Sequence, residues 1–362
     1  MAAASLLDHE AVADFVRPGL GNVLKVYLEI LDELEFDELV NSLRKIVEVF
    51  SDEVAPYAKS LCIKLSEAFI RMIKNKGDPD DEFTDEALSA EGLMKAIRRV
   101  VESIYIIAEQ QPQLYPELEE ILQDSLLLCF TADGANSADE ALTCLSEIVY
   151  NGKNVSERAW NFYLHLINQY LQDDAHYEPA QAASLFIYIM VRAPNEFKNM
   201  NMNGQGTPLQ LLFLFIGKVF ENGQSNNHDY TSMCGISLIM AILEHLGERD
   251  PLVVENIHNI NTMYIQEMSR AQNSDYKNML IQGMMSNMWY DQQTTLASLK
   301  QTENLDQVFN FIFANMKNIS KDFEIKRLVI GLASLTLQFD MPPPEELLPK
   351  SSDIMQAIVQ MC

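Results

Sequence analysis

Two apolar stripes with helical spacing lie between residues 31 and 73, and they constrain the fold more than any other feature of the sequence. In each stripe, apolar residues recur every three or four positions, which is the period of a helix with one buried face. The stripes are Leu39, Leu43, Ile46, Val47 and Phe50, then Val54, Ala58, Leu61, Cys62, Leu65, Ala68, Phe69 and Met72. Between them, Ser51 can cap the second helix and Pro56 is tolerated in its first turn. The sequence therefore predicts an antiparallel helical hairpin.

Similar helical pairs follow along the chain. Apolar stripes separated by turn signals predict the pairs 86–110 with 116–130, 137–152 with 160–171, 179–192 with 208–221, 229–246 with 251–271, and 276–290 with 306–316, then a helix at 323–338. The first helices begin about 40 to 53 residues apart, and each hairpin needs neighbours to cover its apolar flanks. We predict an all-α, HEAT-repeat superhelical solenoid of antiparallel helical hairpins, with about seven hairpins in one array. The predicted array spans residues 1–362. Armadillo repeats, with three helices per unit, are the alternative.

Three local patterns predict details of these helices. Ser137 followed by Glu140 has the spacing of a capping box, in which each side chain accepts a hydrogen bond from the other residue's backbone amide. Trp160 and Trp289 lie on helical stripes and are predicted core residues. Methionines cluster between residues 279 and 288. Such flexible side chains fill irregular helix interfaces, and a promiscuous binding face is the alternative.

The charge of the chain limits its partners. Its 362 residues include 52 acidic and 26 basic side chains, a formal net charge of −26. Nucleic acids and anionic membranes repel such a surface, so we expect neither as a direct partner, whereas basic proteins are attracted. An acidic surface that only keeps the protein in solution is the alternative. No apolar run approaches the roughly 18 residues of a membrane helix, and residues 1–7 lack the pattern of a secretory signal.

Two groups of carboxylates are the predicted partner-binding residues. The first is an acidic loop at about residues 77–86, which Gly77 and Pro79 keep out of a helix and which contains no basic side chain. The second lies in the predicted helix 116–130, the second helix of its hairpin, which in HEAT solenoids lines the concave side. A solvated connection between helices is the alternative for the loop. The predicted residues are Asp78, Asp80, Asp81, Glu82, Asp85 and Glu86 in the loop, and Glu117, Glu119, Glu120 and Asp124 in the helix.

The residue types that carry catalysis or hold cofactors form no recognisable site. Gly204 and Gly206 lack the lysine and the preceding strand of a phosphate-binding loop. The six histidines form no HExxH pattern, and the spacing of His228, Cys234 and His245 fits no zinc site. The five cysteines lie mostly on apolar stripes, which indicates buried free thiols in a reducing compartment. We predict that the protein is not an enzyme and has no catalytic residue, metal or cofactor.

Several segments, taken in their order along the chain, resemble one protein family. They are FVRPGLGNVLKVYLEI at residues 15–30, the helix opened by Asp37 and Leu39, the turn at residues 51–58, the acidic segment after Met72, and residues 154–160 and 324–335. Together they resemble the middle-to-C-terminal HEAT repeats of the importin-beta family of nuclear transport receptors. The likeness is closest to the branch that contains importins seven and eight.

The resemblance implies a segment of a nuclear import receptor. Such a receptor binds basic cargo proteins, including ribosomal proteins and histones, and releases them when GTP-bound Ran arrives. The resemblance also implies nucleoporins and importin beta as partners, and shuttling between cytoplasm and nucleus through the pore of the nuclear envelope. Receptors of this branch are much longer than this chain, and their main Ran contacts lie in N-terminal repeats, so the chain resembles a later portion. An importin-alpha export receptor of the same family and a HEAT scaffold without a transport role are the alternatives.

Overall fold

The computed structural model describes residues 9–33, 37–50, 53–74, 90–108, 111–226, 229–246, 249–335 and 345–361. These ranges form α-helices and short 3-10 turns, and no β-strand occurs within them. The chain divides into two compact units, Met1–Ala193 and Pro194–Cys362. The prediction of an all-α fold is confirmed, while the single array of about seven hairpins stays a prediction.

The first unit consists of packed helices in its described ranges. Its helices are α1 (Glu10–Val16), α2 (Leu20–Glu33), α3 (Asp37–Val49), α4 (Ala58–Lys74), α5 (Ala90–Ser103), α6 (Tyr105–Ala108), α7 (Leu114–Cys129), α8 (Ala138–Asn151), α9 (Glu157–Leu171) and α10 (Pro179–Arg192). Prolines favour two of the starts, because Pro18 and Pro56 lie in the 3-10 turns Arg17–Gly19 and Ala55–Tyr57 that precede α2 and α4.

These helices pack in two rows. One row contains α3, α5, α8 and α10, each in contact with the next, and the other contains α2, α4 and α7. Side-chain hydrogen bonds extend the second row from α7 to α9. Consecutive helices also pack across the rows, as α4 does with α5 and α7 with α8. This arrangement is a solenoid-like stack of helical hairpins, as predicted for HEAT repeats.

The stripe predicted on α4 is buried. Leu61, Leu65 and Phe69 have no exposed surface, and α4 packs against α2, α5 and α7. The apolar face therefore packs against three helices. Among the described contacts α3, the hairpin partner predicted for α4, is not one of them, and α4 pairs instead with α5, the next helix along the chain. The side chain of Leu39 and residue Ser51 lie outside the described part of the chain.

The predicted capping box at the start of α8 is wrong. Ser137 closes the 3-10 turn Ala135–Ser137 and makes no side-chain hydrogen bond to the first turn of α8. Glu140 instead faces α5, where its carboxylate pairs with Arg98 and lies 3.8 Å from Lys95 Nζ. Two cations on a neighbouring helix attract this carboxylate away from the local backbone.

The second unit also consists of helices alone in its described ranges. They are α11 (Pro194–Asn199), α12 (Pro208–Asn226), α13 (Asp229–His245), α14 (Pro251–Arg270), α15 (Ser274–Tyr290), α16 (Gln292–Gln301), α17 (Leu305–Asn315), α18 (Asp322–Ser334) and α19 (Ser351–Met361). Helix α16, with the sequence QQTTLASLKQ, was not predicted. It has few apolar residues, so it carries no periodic stripe.

Helix α15 occupies the centre of the second unit. It contacts α13, α14, α16, α17 and α18, and every residue from Leu280 to Met288 is buried. The methionines of this helix, including Met284 and Met285, fill helix interfaces as predicted. Trp289, a predicted core residue, is 49% exposed, so that prediction is wrong, whereas Trp160 is buried as predicted. Burial of residues 280–288 on all sides of α15 removes the amphipathic pattern that would have indicated which way Trp289 faces.

A buried polar network joins four helices of the second unit. Glu267 of α14 has no exposed surface. Its carboxylate accepts hydrogen bonds from Gln224 of α12 and Arg270 of α14, both at 2.8 Å, and from Tyr276 of α15. Arg270 also donates to Ser232 Oγ of α13 at 2.9 Å. A buried carboxylate needs such partners because an unpaired buried charge is costly.

Candidate partner-binding face

The predicted partner-binding residues fall into two structural classes. Asp78, Asp80, Asp81, Glu82, Asp85 and Glu86 lie outside the described residues. Glu117, Glu119, Glu120 and Asp124 lie on α7, in the row formed by α2, α4, α7 and α9. The four carboxylates of the second group thus lie on one helix, but they do not all lie on its exposed surface.

Two of the α7 carboxylates have cationic partners on the neighbouring helices. Glu117 Oε2 lies 3.2 Å from Lys59 Nζ of α4, and Glu120 Oε2 lies 3.2 Å from Arg158 Nη2 of α9. Both carboxylates are exposed, so each pair contributes at most about 1 kcal/mol to stability. The pairs nevertheless neutralise part of the acidic field that the sequence predicts for this helix.

Glu119 is not part of the exposed face. Only 2% of its surface is exposed, and its Oε1 accepts a hydrogen bond from Ser156 Oγ at 2.6 Å. Ser156 is the N-cap of α9 and accepts from the amide of Ala159. Burial raises the pKa of the Glu119 carboxyl. The hydrogen bond from Ser156 and the positive charge of Arg158 oppose this rise. The expectation that this residue offers a surface carboxylate is wrong, because its side chain links α7 to α9.

Glu119→Gln is expected to gain stability relative to the wild type as the pH rises from about 4 toward neutrality. Folding raises the pKa of this carboxyl. Its contribution to the stability of the wild type is therefore fully present below the ordinary pKa of glutamate, and it is lost as the pH rises through the pKa in the folded protein. Glutamine does not ionise and keeps an acceptor for Ser156. Thermal melting of both proteins across this range measures the difference, and a constant difference would contradict the expectation.

A groove that the sequence does not predict lies between α7 and α9 on this face. It consists of two adjoining cavities of about 200 and 500 Å³ that share Leu127 and His165. The first is also lined by Gln123, Arg158, Asn161 and Phe162, and the second by Ile70, Lys74, Asp124, Leu128, Thr131 and Gln169. We call it the α7–α9 groove. Periodicity identifies the buried face of each helix but not the gap between two helices, so no sequence signal reveals it.

Polar bridges hold the groove at both ends. At one end, Arg158 Nε donates to Gln123 Oε1 at 3.1 Å. At the other, Gln169 Nε2 donates to the carbonyl oxygen of Phe130 at 2.9 Å. Burial lowers the pKa of the His165 imidazole, and the charge of Asp174 opposes this shift. The ring is therefore neutral at pH 7. The helices are thus fixed on either side of an opening whose walls are largely apolar.

In the described part of the chain, potential metal ligands do not cluster and the cysteine thiols are buried. No cluster of histidine, cysteine, aspartate and glutamate there could hold a metal ion. Cys62, Cys129, Cys144 and Cys234 are free and buried, as predicted, and burial raises the pKa of Cys129 and Cys234 to about 12. None of the described helices has the length and apolar character required to cross a bilayer.

Comparisons with known proteins identify relatives of the whole region. An importin beta-like SAD2 homolog from Arabidopsis thaliana is 24% identical over 93% of this chain and 32% of its own length. A probable importin-7 homolog from Dictyostelium discoideum is 22% identical over 89% of this chain and 29% of its own length. Importin-8 from Mus musculus is 20% identical over 100% of this chain and 35% of its own length.

The chain spans about a third of the length of the curated relatives it matches. No protein-family model matches it, and no solved structure does. The matches cover the segments between the motifs as well as the motifs themselves, so they extend the likeness beyond the stretches that carried it in the sequence. The resemblance to importins seven and eight is confirmed, and the curated homologues of this chain are importin-beta-like proteins.

Proposed function

We propose that the chain is a segment of a nuclear import receptor that binds basic cargo proteins, such as ribosomal proteins and histones, under the control of Ran. The observation that carries the proposal is the similarity to importin-beta-like proteins over most of the chain. A transport role follows from that similarity, whereas the cargo class follows from charge. An acidic chain with a net charge of −26 attracts basic proteins over a distance of about 8 Å at physiological salt.

The stack of hairpins supports this proposal. Stacked helices present side chains from several successive repeats along one surface, which suits the binding of a large protein partner. Exposed carboxylates on α7, including Glu117, Glu120 and Asp124, contribute negative charge to such a surface. Nucleoporins and importin beta are further proposed partners, and shuttling between cytoplasm and nucleus is the proposed localisation.

Binding of purified linker histone to the immobilised chain tests this function. We expect binding at low salt that weakens at moderate salt. A basic enzyme from hen egg white, which is not a transport cargo, is the control for attraction by charge alone. Repeating the measurement with GTP-loaded and GDP-loaded Ran tests the regulation: a smaller amount of bound histone with the GTP-loaded form alone would show that this portion of the receptor takes part in it. Absence of histone binding at low salt would contradict the proposal. Equal binding with both forms of Ran would place the regulation outside this chain or favour a scaffold.

Neutralising the acidic loop is expected to weaken histone binding roughly tenfold at low salt. The variant replaces Asp78, Asp80, Asp81, Glu82, Asp85 and Glu86 by Asn, Gln or Ser. Long-range attraction acts mainly on the rate of encounter, so the association rate should fall more than the dissociation rate rises. Surface titration at two salt concentrations gives both rates.

A matched control keeps the loop and neutralises the same number of exposed carboxylates in the second unit, including Glu255, Asp275 and Asp322. Thermal melting verifies that both variants are folded. If the loop variant binds histone as the control does, net charge alone attracts the cargo and the loop has no special role.

A further inference from the structure

The chain contains three asparagine–glycine pairs, at residues 151–152, 203–204 and 222–223. In such a pair, the backbone nitrogen of the glycine can attack the side-chain carboxamide of the asparagine and close a succinimide ring. Glycine favours this step because it has no side chain to block the approach and its backbone rotates freely. The attack also needs a nitrogen that is not held in a helical hydrogen bond, so the fold decides which pairs react.

Two of the pairs are held by helices. Asn151 is the last residue of α8, and its Nδ2 donates to the carbonyl oxygen of Glu147 at 3.0 Å and to Glu147 Oε2 at 2.9 Å. The backbone N–H of Gly152 donates to a carbonyl oxygen of α8 at 2.9 Å. The pair at 222–223 lies inside α12, and its glycine is buried. Because a helical N–H is bonded to the carbonyl four residues earlier, neither pair can react until its helix opens.

Asn203 lies instead in the loop of residues 200–207 that joins α11 to α12. Its side chain is exposed, and its carboxamide has no hydrogen-bond partner among the described residues. Its φ is 53°, in the left-handed region that is costly for a residue other than glycine, so rotation out of this conformation is favoured locally. Gly204 is exposed, and no atom lies within 4 Å of the position that a Cβ would take there. Both reacting groups are thus accessible at the surface.

One contact in the loop opposes the reaction. The backbone N–H of Gly204 donates to Asn201 Oδ1 at 2.7 Å, and this proton must leave before the nitrogen can attack. Asn201 is exposed, so water competes for the same donor and the net strength of the bond is small. The contact therefore slows the reaction without preventing it, in contrast to the backbone hydrogen bonds of α8 and α12.

We propose that Asn203 is a site of spontaneous deamidation in the folded chain, and that the other two pairs are protected by their helices. The Gly204 nitrogen loses its proton to the solvent and forms a bond to Cγ of Asn203, and the side-chain nitrogen leaves as ammonia. Water then opens the succinimide at either carbonyl carbon, which gives aspartate or isoaspartate. Both products add one negative charge to the loop, and isoaspartate also adds a methylene group to the backbone. The reaction requires only water.

Peptide mass spectrometry of the aged protein tests this site. The folded chain is incubated for days in mildly alkaline buffer at physiological temperature and digested with trypsin, and an unincubated sample corrects for deamidation during digestion. Cleavage after Lys153, Lys198, Lys218 and Arg249 places the three pairs on different peptides. We expect Asn203 to deamidate at least about tenfold faster than Asn151 or Asn222, because a helical pair reacts only after local opening. Equal rates at the three pairs, or a faster reaction in either helix, would overturn the proposal.

The same incubation in guanidinium chloride separates the effect of the fold from that of the sequence. In the unfolded chain the three pairs should react at similar rates, since no helix then holds the glycine nitrogen. If the large excess at Asn203 persisted in the denaturant, the fold would not select the site and the proposal would fail.

A substitution in the loop tests the geometry. Asn201→Ala removes the acceptor of the Gly204 N–H and is expected to speed deamidation of Asn203 about fivefold, the rate equivalent of one hydrogen bond between exposed groups. Asn199→Ala is the matched control, because Asn199 is also exposed but its Nδ2 donates to the carbonyl oxygen of Asn195. Equal rates for the two variants would contradict the assigned role of the loop geometry.

Discussion

Replacing Leu61 or Leu65 by alanine is expected to lower the free energy of unfolding of the first unit by about 2 to 5 kcal/mol. Both side chains are fully buried on α4, which packs against α2, α5 and α7. The loss combines the transfer of methyl groups out of the core with the cavity left behind, since three surrounding helices cannot all move to close it.

The two tryptophans allow this measurement to report on one unit at a time. With Trp289→Phe as the background, Trp160 is the remaining tryptophan, and it lies in the first unit. Urea unfolding followed by its fluorescence then gives the stability of that unit. Lys59→Ala is the control on the same helix, because Lys59 is exposed and its ion pair among the described residues is the surface pair with Glu117, worth up to about 1 kcal/mol. Equal losses at all three positions would show that the buried face of α4 is assigned incorrectly.

Arg270→Met is expected to destabilise the second unit by about 3 to 5 kcal/mol. The substitution leaves the fully buried carboxylate of Glu267 with Gln224 and Tyr276 but without its cation. It also removes the hydrogen bond from Arg270 to Ser232, which joins α14 to α13. A buried charge that loses its counter-charge costs more than the pair contributed, so the effect exceeds that of a surface ion pair.

A double variant separates this effect from lost packing. If charge is the cause, Arg270→Met combined with Glu267→Gln should cost less than the sum of the two single losses, because the second change removes the unpaired carboxylate. Lys321→Met is the surface control, since Lys321 is 66% exposed and lies 3.6 Å from Glu324. Trp289 fluorescence in a Trp160→Phe background follows the second unit. Strict additivity, or an equal loss for Lys321→Met, would contradict the proposed role of the network.

Periodic features of the sequence predicted the fold well. The stripe on α4 and the helices α13 and α14 appear with their bounds nearly as expected, because amphipathic spacing directly reflects which face is buried. Features without that spacing were missed. Helix α16 has few apolar residues, and residues 280–288 of α15 are buried on all sides, so the sequence could neither reveal α16 nor orient Trp289 on α15.

The binding face was less predictable than the fold. A carboxylate looks the same in sequence whether it is exposed or buried, and only the packing of α9 on α7 distinguishes Glu119 from Glu120. The capping-box prediction at Ser137 was wrong for a similar reason, because Arg98, a residue distant in sequence, attracts Glu140. The groove itself depends on three helices and has no local pattern. Charge and helical periodicity can be read from the local sequence, whereas the access of a partner to a residue depends on tertiary packing.

The central position of α15 determines how the second unit comes apart. Hairpins that touch only their neighbours can detach one by one from an end. Here α13 and α14 contact α15, and so do α16, α17 and α18, so loss of this helix removes a packing partner from each of them. Fraying at the ends can proceed only until it reaches α15, after which the remaining helices separate in a single cooperative step. The backbone amides of α15 are therefore expected to be the last in the unit to exchange with deuterium, at a rate set by that step.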